Sequence, residues 1–253
     1  MSFRSQRSRH VVLLALLLSA WLAGCTDKPA PVRPLHIDAV YQLLFNESLV
    51  GNALFALSIN ADGTYRIEAF TTPAGQMATE GGHEVLEVST GELDMTRIRP
   101  ASFEHSVMQG DALERVKLKF DWAGKTLRIE NGDIQQTLGL LPDTHDRLSY
   151  LLAAGRLVDM KKDAISPIRL AALDATEEAV LQVIGDSAIT VPFGDYTATG
   201  IRRVTIDEND QRELWFSDAV GPLPLRVLRR ADGNSIEMQL VSLTPATAQP
   251  VSE

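Results

Sequence analysis

The sequence predicts a mainly β protein: a single antiparallel meander with one helix packed on it. Three observations carry this. From Ile37 to Leu243 the dominant spacing of apolar residues is two. Turn-forming clusters interrupt that pattern roughly every ten residues, as expected of a meander. A single stretch, 143–160, holds apolar residues at helical spacing.

The chain opens before the meander with a different chemistry. Arg4, Arg7 and Arg9 form a cationic head, followed by a nearly unbroken apolar run from Val11 to Leu18 and on to Leu22. That core is about 12 residues long, whereas a membrane-spanning helix needs about 20. A basic head, a short apolar core and small residues at its end describe a secretory signal peptide over 1–24. The sole cysteine, Cys25, follows in "LAGC". Residues 25–36 hold Pro29, Pro31 and Pro34, which favour an extended tether rising about 3.1 Å per residue.

The strands then follow in order. "ALFALSI" and "TYRIEAF" flank "NADG", a hairpin signal because Gly63 accepts positive φ. "HEVLEVS" and "LDMTRI" flank "TGE". In "ERVKLKFDW", Val116, Leu118, Phe120 and Trp122 share one face, and Arg115, Lys117, Lys119 and Asp121 the other. That is a strand with one dry and one wet face. "TLRIE" and "IQQTL" continue the meander across "AGK" and "NGD". The helix is expected within 143–160, with Asp143 or Asp146 as its N-cap. Residues 164–184 carry helix-favouring Ala, Leu and Glu, yet the charged "DATEE" splits two short apolar runs. They read as a hairpin, with a helix as the alternative. "YTATGIRRVTI", "RELWFS", "LPLRVLRR" and "SIEMQLVSL" complete a β domain over 37–243. The polar, proline-broken tail 244–253 reads as disordered.

Composition limits the function classes. The chain has 24 basic and 33 acidic residues, net −9. Without residues 1–24, which hold three arginines and no acids, 21 basic face 33 acidic residues, net −12. Nucleic acid, which needs a basic face, is not an expected partner. A single cysteine allows no intramolecular disulfide, so an apolar core must supply stability.

"LAGC" (Leu22 to Cys25) resembles the lipobox of bacterial lipoproteins. The resemblance implies cleavage between Gly24 and Cys25 and a lipid on the Cys25 sulfur. Each buried methylene contributes about 0.8 kcal/mol, so two or more acyl chains anchor firmly where one holds weakly. The partner so implied is membrane lipid, held through acylated Cys25. In such lipoproteins an aspartate directly after the cysteine favours retention at the inner membrane. Here Thr26 intervenes before Asp27, which points to the periplasmic face of the outer membrane.

The order of motifs in the folded part resembles a bacterial envelope family catalogued as domain of unknown function 3108. The likeness rests on Tyr41, Leu43, Gly51, Ala53 and Leu57, then "STGEL" and "RPASF". "FDW", "DRLSYLL", "VPFGDYTA", "ELWFS" and "LPLRV" follow in the family's order. Val191 departs from it, standing where a threonine is expected, and the "DATEE" turn lacks the usual glycine. The resemblance implies an exported protein whose antiparallel sheet curves into a half-barrel. It carries no activity with it.

The residues offer little catalytic chemistry. His145 and Ser149 stand at i and i+4, but no G-x-S-x-G elbow surrounds the serine. A cap for Asp146 and a buried hydroxyl for Ser149 are the expected roles. His10, His36, His83, His105 and His145 are scattered, with no paired metal spacing. No glycine-rich phosphate loop is present, so no cofactor, metal or enzymatic role is expected. Phe120, Trp122 and Trp215 are the candidates for lining a ligand cavity on the concave face, as aromatics do in apolar pockets. Filling the core is their alternative role. Two functions follow. One is a non-enzymatic lipoprotein that binds an apolar or amphipathic envelope molecule in the half-barrel. The other is an acidic scaffold lipoprotein that contacts another envelope protein.

Overall fold

The computed structural model describes residues 32–94, 96–110, 112–158, 164–205 and 209–245. They belong to one unit, residues 31–253. The signal segment, Gly24, Cys25, most of the tether and the tail from 246 onward lie outside the described residues.

The chain runs through β1 (Leu35–Phe45), β2 (Ser48–Ile59) and β3 (Thr64–Pro73), then a four-residue helix α1 (Gln76–Thr79). Next come β4 (Glu84–Leu93), β5 (Ile98–Gln109), β6 (Ala112–Asp121), β7 (Thr126–Asn131) and β8 (Ile134–Gly139). A two-residue β9 (Thr144–His145) leads into α2 (Ser149–Gly155). The second half holds β10 (Ile165–Ala171), β11 (Thr176–Val191), β12 (Gly194–Val204), β13 (Gln211–Phe216), β14 (Arg226–Ala231) and β15 (Asn234–Pro245).

All fifteen strands form one sheet in the order β8-β7-β6-β5-β4-β3-β2-β1-β15-β14-β13-β12-β11-β10-β9. Two meanders thus grow outward from the central β1–β15 pair, and the edges β8 and β9 are neighbours in sequence. Pairing is antiparallel throughout except at β9–β10. Residues 164–184 are strands, not a helix: β10 and β11 pair from Ile165↔Gln182 to Ala171↔Thr176. The β2–β3 turn follows the expectation at Gly63, where φ is +86° and a Cβ would stand 2.6 Å from the Leu93 carbonyl oxygen. The sheet ends beyond the bounds expected for it, since β1 starts at Leu35 and β15 ends at Pro245.

The helical content differs from expectation in two ways. The short α1 follows β3, where no helix was expected. Within 143–158, the stretch that the structure describes of the expected helix, only Ser149–Gly155 is helical. The reason is Asp143 and the strand beside it. Asp143 has φ +56°, which a helix cannot use, and Thr144–His145 are drawn into pairing with β10.

The apolar core lies on one face of the sheet and around α2. Ala39, Tyr41, Phe55, Leu57, Ile67, Phe103, Leu118, Leu127, Ile201, Leu214 and Phe216 join Leu148, Tyr150, Leu151, Leu152 and Ala154 in one cluster. This arrangement requires curvature. Asp146, just before α2, bonds Ser89 of β4, while Gly155, at its end, packs on the Phe216 ring of β13. Six strand spacings of about 4.8 Å would separate β4 from β13 by about 29 Å in a flat sheet. A seven-residue helix spans only about 10 Å. The sheet therefore curls around α2, which occupies its hollow.

Candidate functional site

A buried polar chain fixes α2 in that hollow. The Ser89 hydroxyl donates to Asp146 Oδ2 at 2.7 Å, and Tyr65 Oη lies 3.1 Å from Ser89 Oγ. Asp146 Oδ1 accepts the N–H groups of Leu148 at 2.9 Å and Ser149 at 2.8 Å. The N-cap position of α2 is Leu148, not Asp146 as expected, yet the Asp146 carboxyl, two residues earlier, satisfies these donors at the start of the helix. Burial pushes its carboxyl above the usual range, against the pull of those hydrogen bonds. Ser149 is buried, and its Oγ accepts the Asp146 N–H at 2.9 Å. His145, in β9, is held down to about 4, first by burial and then by the Arg156 charge. A second anchor works on the other half of the sheet. The Tyr41 hydroxyl on β1 donates to the Pro224 carbonyl at 2.8 Å, holding the loop that carries buried Val220, Leu223 and Leu225.

α2 and this loop fill part of the hollow. Phe120 is buried with Leu118 and Leu127, and fills the core. Trp122 lies in the turn after β6, half-buried, stacked on Phe120 with ring centres 6.3 Å apart. Its indole N–H donates to the Pro100 carbonyl at 2.8 Å, and the Arg99 guanidinium sits 5.6 Å from the ring centre. Trp122 lines a groove of about 590 Å³ with Ile98, Arg99, Lys125 and Leu140. Trp215 does not join them. Alternation turns it to the face of β13 opposite Leu214 and Phe216. There its ring covers Gly200, where a Cβ would stand 2.8 Å from the indole. The three aromatics singled out in the sequence therefore do not make one cavity, because their strands present them to different surroundings.

Another opening borders α2. It is a cleft of about 440 Å³, bordered by Phe55, Tyr150, Leu151, Leu170, Val227 and Met238. Its charged margin holds Arg147, Arg203, Arg212 and Arg229 with Glu87, Glu177 and Asp210. The strand register creates this margin. Arg203 pairs with Arg212 across β12–β13, and Arg212 with Arg229 across β13–β14, so three arginines stand in one row. Each shares its face with core residues: Arg203 with Ile201, Arg212 with Leu214 and Phe216, Arg229 with Val227. Arg203 is only 6% exposed. Asp210 offsets part of the charge, lying 3.4 Å from Arg203 Nη2 and 2.8 Å from Arg229 Nε. Glu87 is engaged by His105 and Arg147, each at 2.9 Å. Among the described residues no side-chain acceptor meets Arg203 Nε or Arg212 Nε, although both atoms are buried. The sequence alone did not single out these arginines. The signal was their place in "GIRRV", "RELWF" and "LRVLRR", in step with inward apolar residues.

This cleft can hold a molecule with an apolar body and a polar end. Among the described residues no group of three or more His, Cys, Asp or Glu could hold a metal ion. Among them, too, no helix is long and apolar enough to cross a membrane.

The family model described as "Protein of unknown function (DUF3108)" matches residues 40–241. The chain belongs to the DUF3108 family. The stretch of this DUF3108 protein that is matched begins within β1 and ends within β15. No curated protein matches the chain at a significant level. Among solved structures, the DUF3108 sheet resembles a β-barrel-like protein of domain of unknown function DUF1849 from Brucella abortus. The TM-score is 0.56 and the identity 13%, covering 85% of this chain and all of that one. At that identity the likeness concerns the fold.

Proposed function

We propose that this DUF3108 protein is a non-enzymatic, lipid-anchored envelope lipoprotein that binds an amphipathic molecule at the mouth of its half-barrel. The anchor is Cys25, acylated after cleavage behind Gly24, and the protein stands on the periplasmic face of the outer membrane. The observation that carries the binding reading is the cleft of about 440 Å³ with apolar walls and a row of arginines. Its volume lies within the range of small-molecule pockets, about 300–1,000 Å³. Apolar walls favour the body of an amphiphile, and charged groups at the rim fix its polar end. Native mass spectrometry of the chain extracted from its own membrane tests this. A retained amphiphile, lost on exchange with excess detergent, is the expected result. A chain that emerges free of any bound molecule under gentle extraction contradicts it.

One observation favours the second reading, a scaffold that contacts another envelope protein. On the face opposite the core, Val40, Leu54, Phe70 and Leu86 lie directly opposite one another across β1 to β4. Leu54, at the centre of this apolar row, is 46% exposed. Substituting Leu54 with Asp would abolish recovery of a cross-linked partner under this reading and leave amphiphile binding untouched.

A further inference from the structure

The arginine row narrows the ligand class. We infer that the cleft takes an anionic amphiphile, whose carboxylate or phosphate group is seated by Arg212 and Arg203. This inference rests on the amphiphile-binding reading above.

Three observations lead to it. First, the row Arg203–Arg212–Arg229 is built by register and faces the hollow, so its charge sits beside apolar walls. Low polarity beside a cation strengthens its attraction for an anion. Second, the carboxylates nearest Arg203 and Arg212 among the described residues are shared or distant. Asp210 is shared by Arg203 and Arg229, and Glu177 approaches Arg203 only to 4.0 Å. Among the described residues Arg212 has no carboxylate within ion-pair distance. Third, Arg203 Nε and Arg212 Nε are buried donors without acceptors among the described residues. A buried donor left without a partner costs about 1–3 kcal/mol, so an acceptor oxygen arriving at either atom is favoured. A carboxylate or phosphate supplies two or more, in the planar geometry that a guanidinium matches. Burial and the neighbouring Arg212 charge both press on Arg203 in the same sense, lowering its hold on a proton, and an anion would relieve both. Phe55, Tyr150, Leu151, Leu170 and Met238 leave an apolar wall for the rest of the ligand.

The test uses the full chain in phosphatidylcholine nanodiscs, with empty nanodiscs as the blank. Decanoate, decyl phosphate and neutral decanol are titrated below their aggregation limits and followed by calorimetry. Both anions should bind at least ten-fold more tightly than decanol. Arg212→Gln should remove that preference, so that this variant binds the two anions no more tightly than it binds decanol, and Arg212→Lys should keep part of it. Raising salt should weaken the anions in the wild-type protein and spare decanol, a readout that holds even if the glutamine variant folds poorly. The relative affinities of decanoate and decyl phosphate say which headgroup chemistry the row prefers, and tighter binding of either over decanol supports the inference. Inorganic phosphate at the same concentration should not displace either anion. If all three compounds bind equally and salt has no effect, the anionic preference is wrong although amphiphile binding stands. Displacement by inorganic phosphate would also overturn it, since a free anion would then suffice. If none of the three binds, the amphiphile reading itself fails and takes this inference with it.

Discussion

Replacing Asp146 with Ala should undo the seating of α2. The carboxylate accepts the Ser89 hydroxyl and the N–H groups of Leu148 and Ser149, all within the core. Alanine strands three buried donors. The Ser89 hydroxyl can turn to Tyr65 Oη, 3.1 Å away, but the two amides have no such neighbour in these bonds. At about 1–3 kcal/mol for each unsatisfied donor, the loss comes to about 4 kcal/mol. That is a large share of the 5–15 kcal/mol that typically holds a domain. Asp146→Asn keeps an oxygen for both amides and sheds the buried charge, so it should cost about 1 kcal/mol or less. The two variants also separate by pH. The Asp146 carboxyl is raised by burial, so the folded state binds its proton more tightly than the unfolded state does. Its contribution is therefore fully present below the unfolded value of about 4 and declines as pH rises toward the folded one. Urea unfolding of a soluble form beginning at residue 32, at several pH values, measures all of this. The wild-type-minus-Asn difference should fall as pH rises above about 4. A loss below about 1 kcal/mol for Asp146→Ala, or a flat difference for Asp146→Asn, refutes the account of how α2 is held.

Other perturbations address other parts of the molecule. His145 is held near 4 by burial, so its contribution is present above the unfolded value of about 6.5 and is lost as pH falls from there toward 4. His145→Gln should therefore flatten the acid side of the stability profile, by up to about 3 kcal/mol near pH 4, in the same urea assay. Trp122→Ala removes a half-buried ring and its bond to Pro100, and should cost about 2–3 kcal/mol, less than the 3–5 kcal/mol of a fully buried aromatic. Since Trp122 lies away from the arginine cleft, decanoate binding by that variant should match the wild type. Cys25→Ser should abolish labelling by a palmitate analogue and release the chain from the membrane fraction. Continued labelling would show that another residue carries the lipid.

The sheet was legible in the sequence because each strand buries one face and wets the other. Val116, Leu118 and Phe120 are buried as their spacing requires, and Lys119 and Asp121, on either side of Phe120, are exposed. The "DATEE" hairpin was legible for a different reason, since a charged break between two short apolar runs suits a turn better than a buried helix. The helix was only partly legible. Leu151 and Leu152 do pack from the helix and Leu148 from just before it, but its start depends on Asp143 adopting φ +56° and on β9 pairing with β10, a tertiary contact. The family resemblance extends from Tyr41 through "LPLRV", and the DUF3108 match over 40–241 agrees with it. The site was the least legible part. Aromatics were expected to line it, yet Phe120 fills core, Trp122 borders a separate groove and Trp215 covers Gly200. The arginine row needs the register of three strands, which local sequence does not contain.

The central claim is that an amphiphile binds at the arginine mouth, and side-chain nuclear magnetic resonance locates binding directly. Arg203 and Arg212 carry Nε–H groups without acceptors among the described residues, so their signals report any oxygen that arrives. On titration of the uniformly ¹⁵N-labelled protein with decanoate, those two signals and the backbone signals of Tyr150 and Leu170 should shift together along one binding curve. The indole signals of Trp122 and Trp215 should stay in place. Shifts confined to Trp122, or to the Val40–Leu54–Phe70–Leu86 row, with the arginine signals unmoved, would contradict the account.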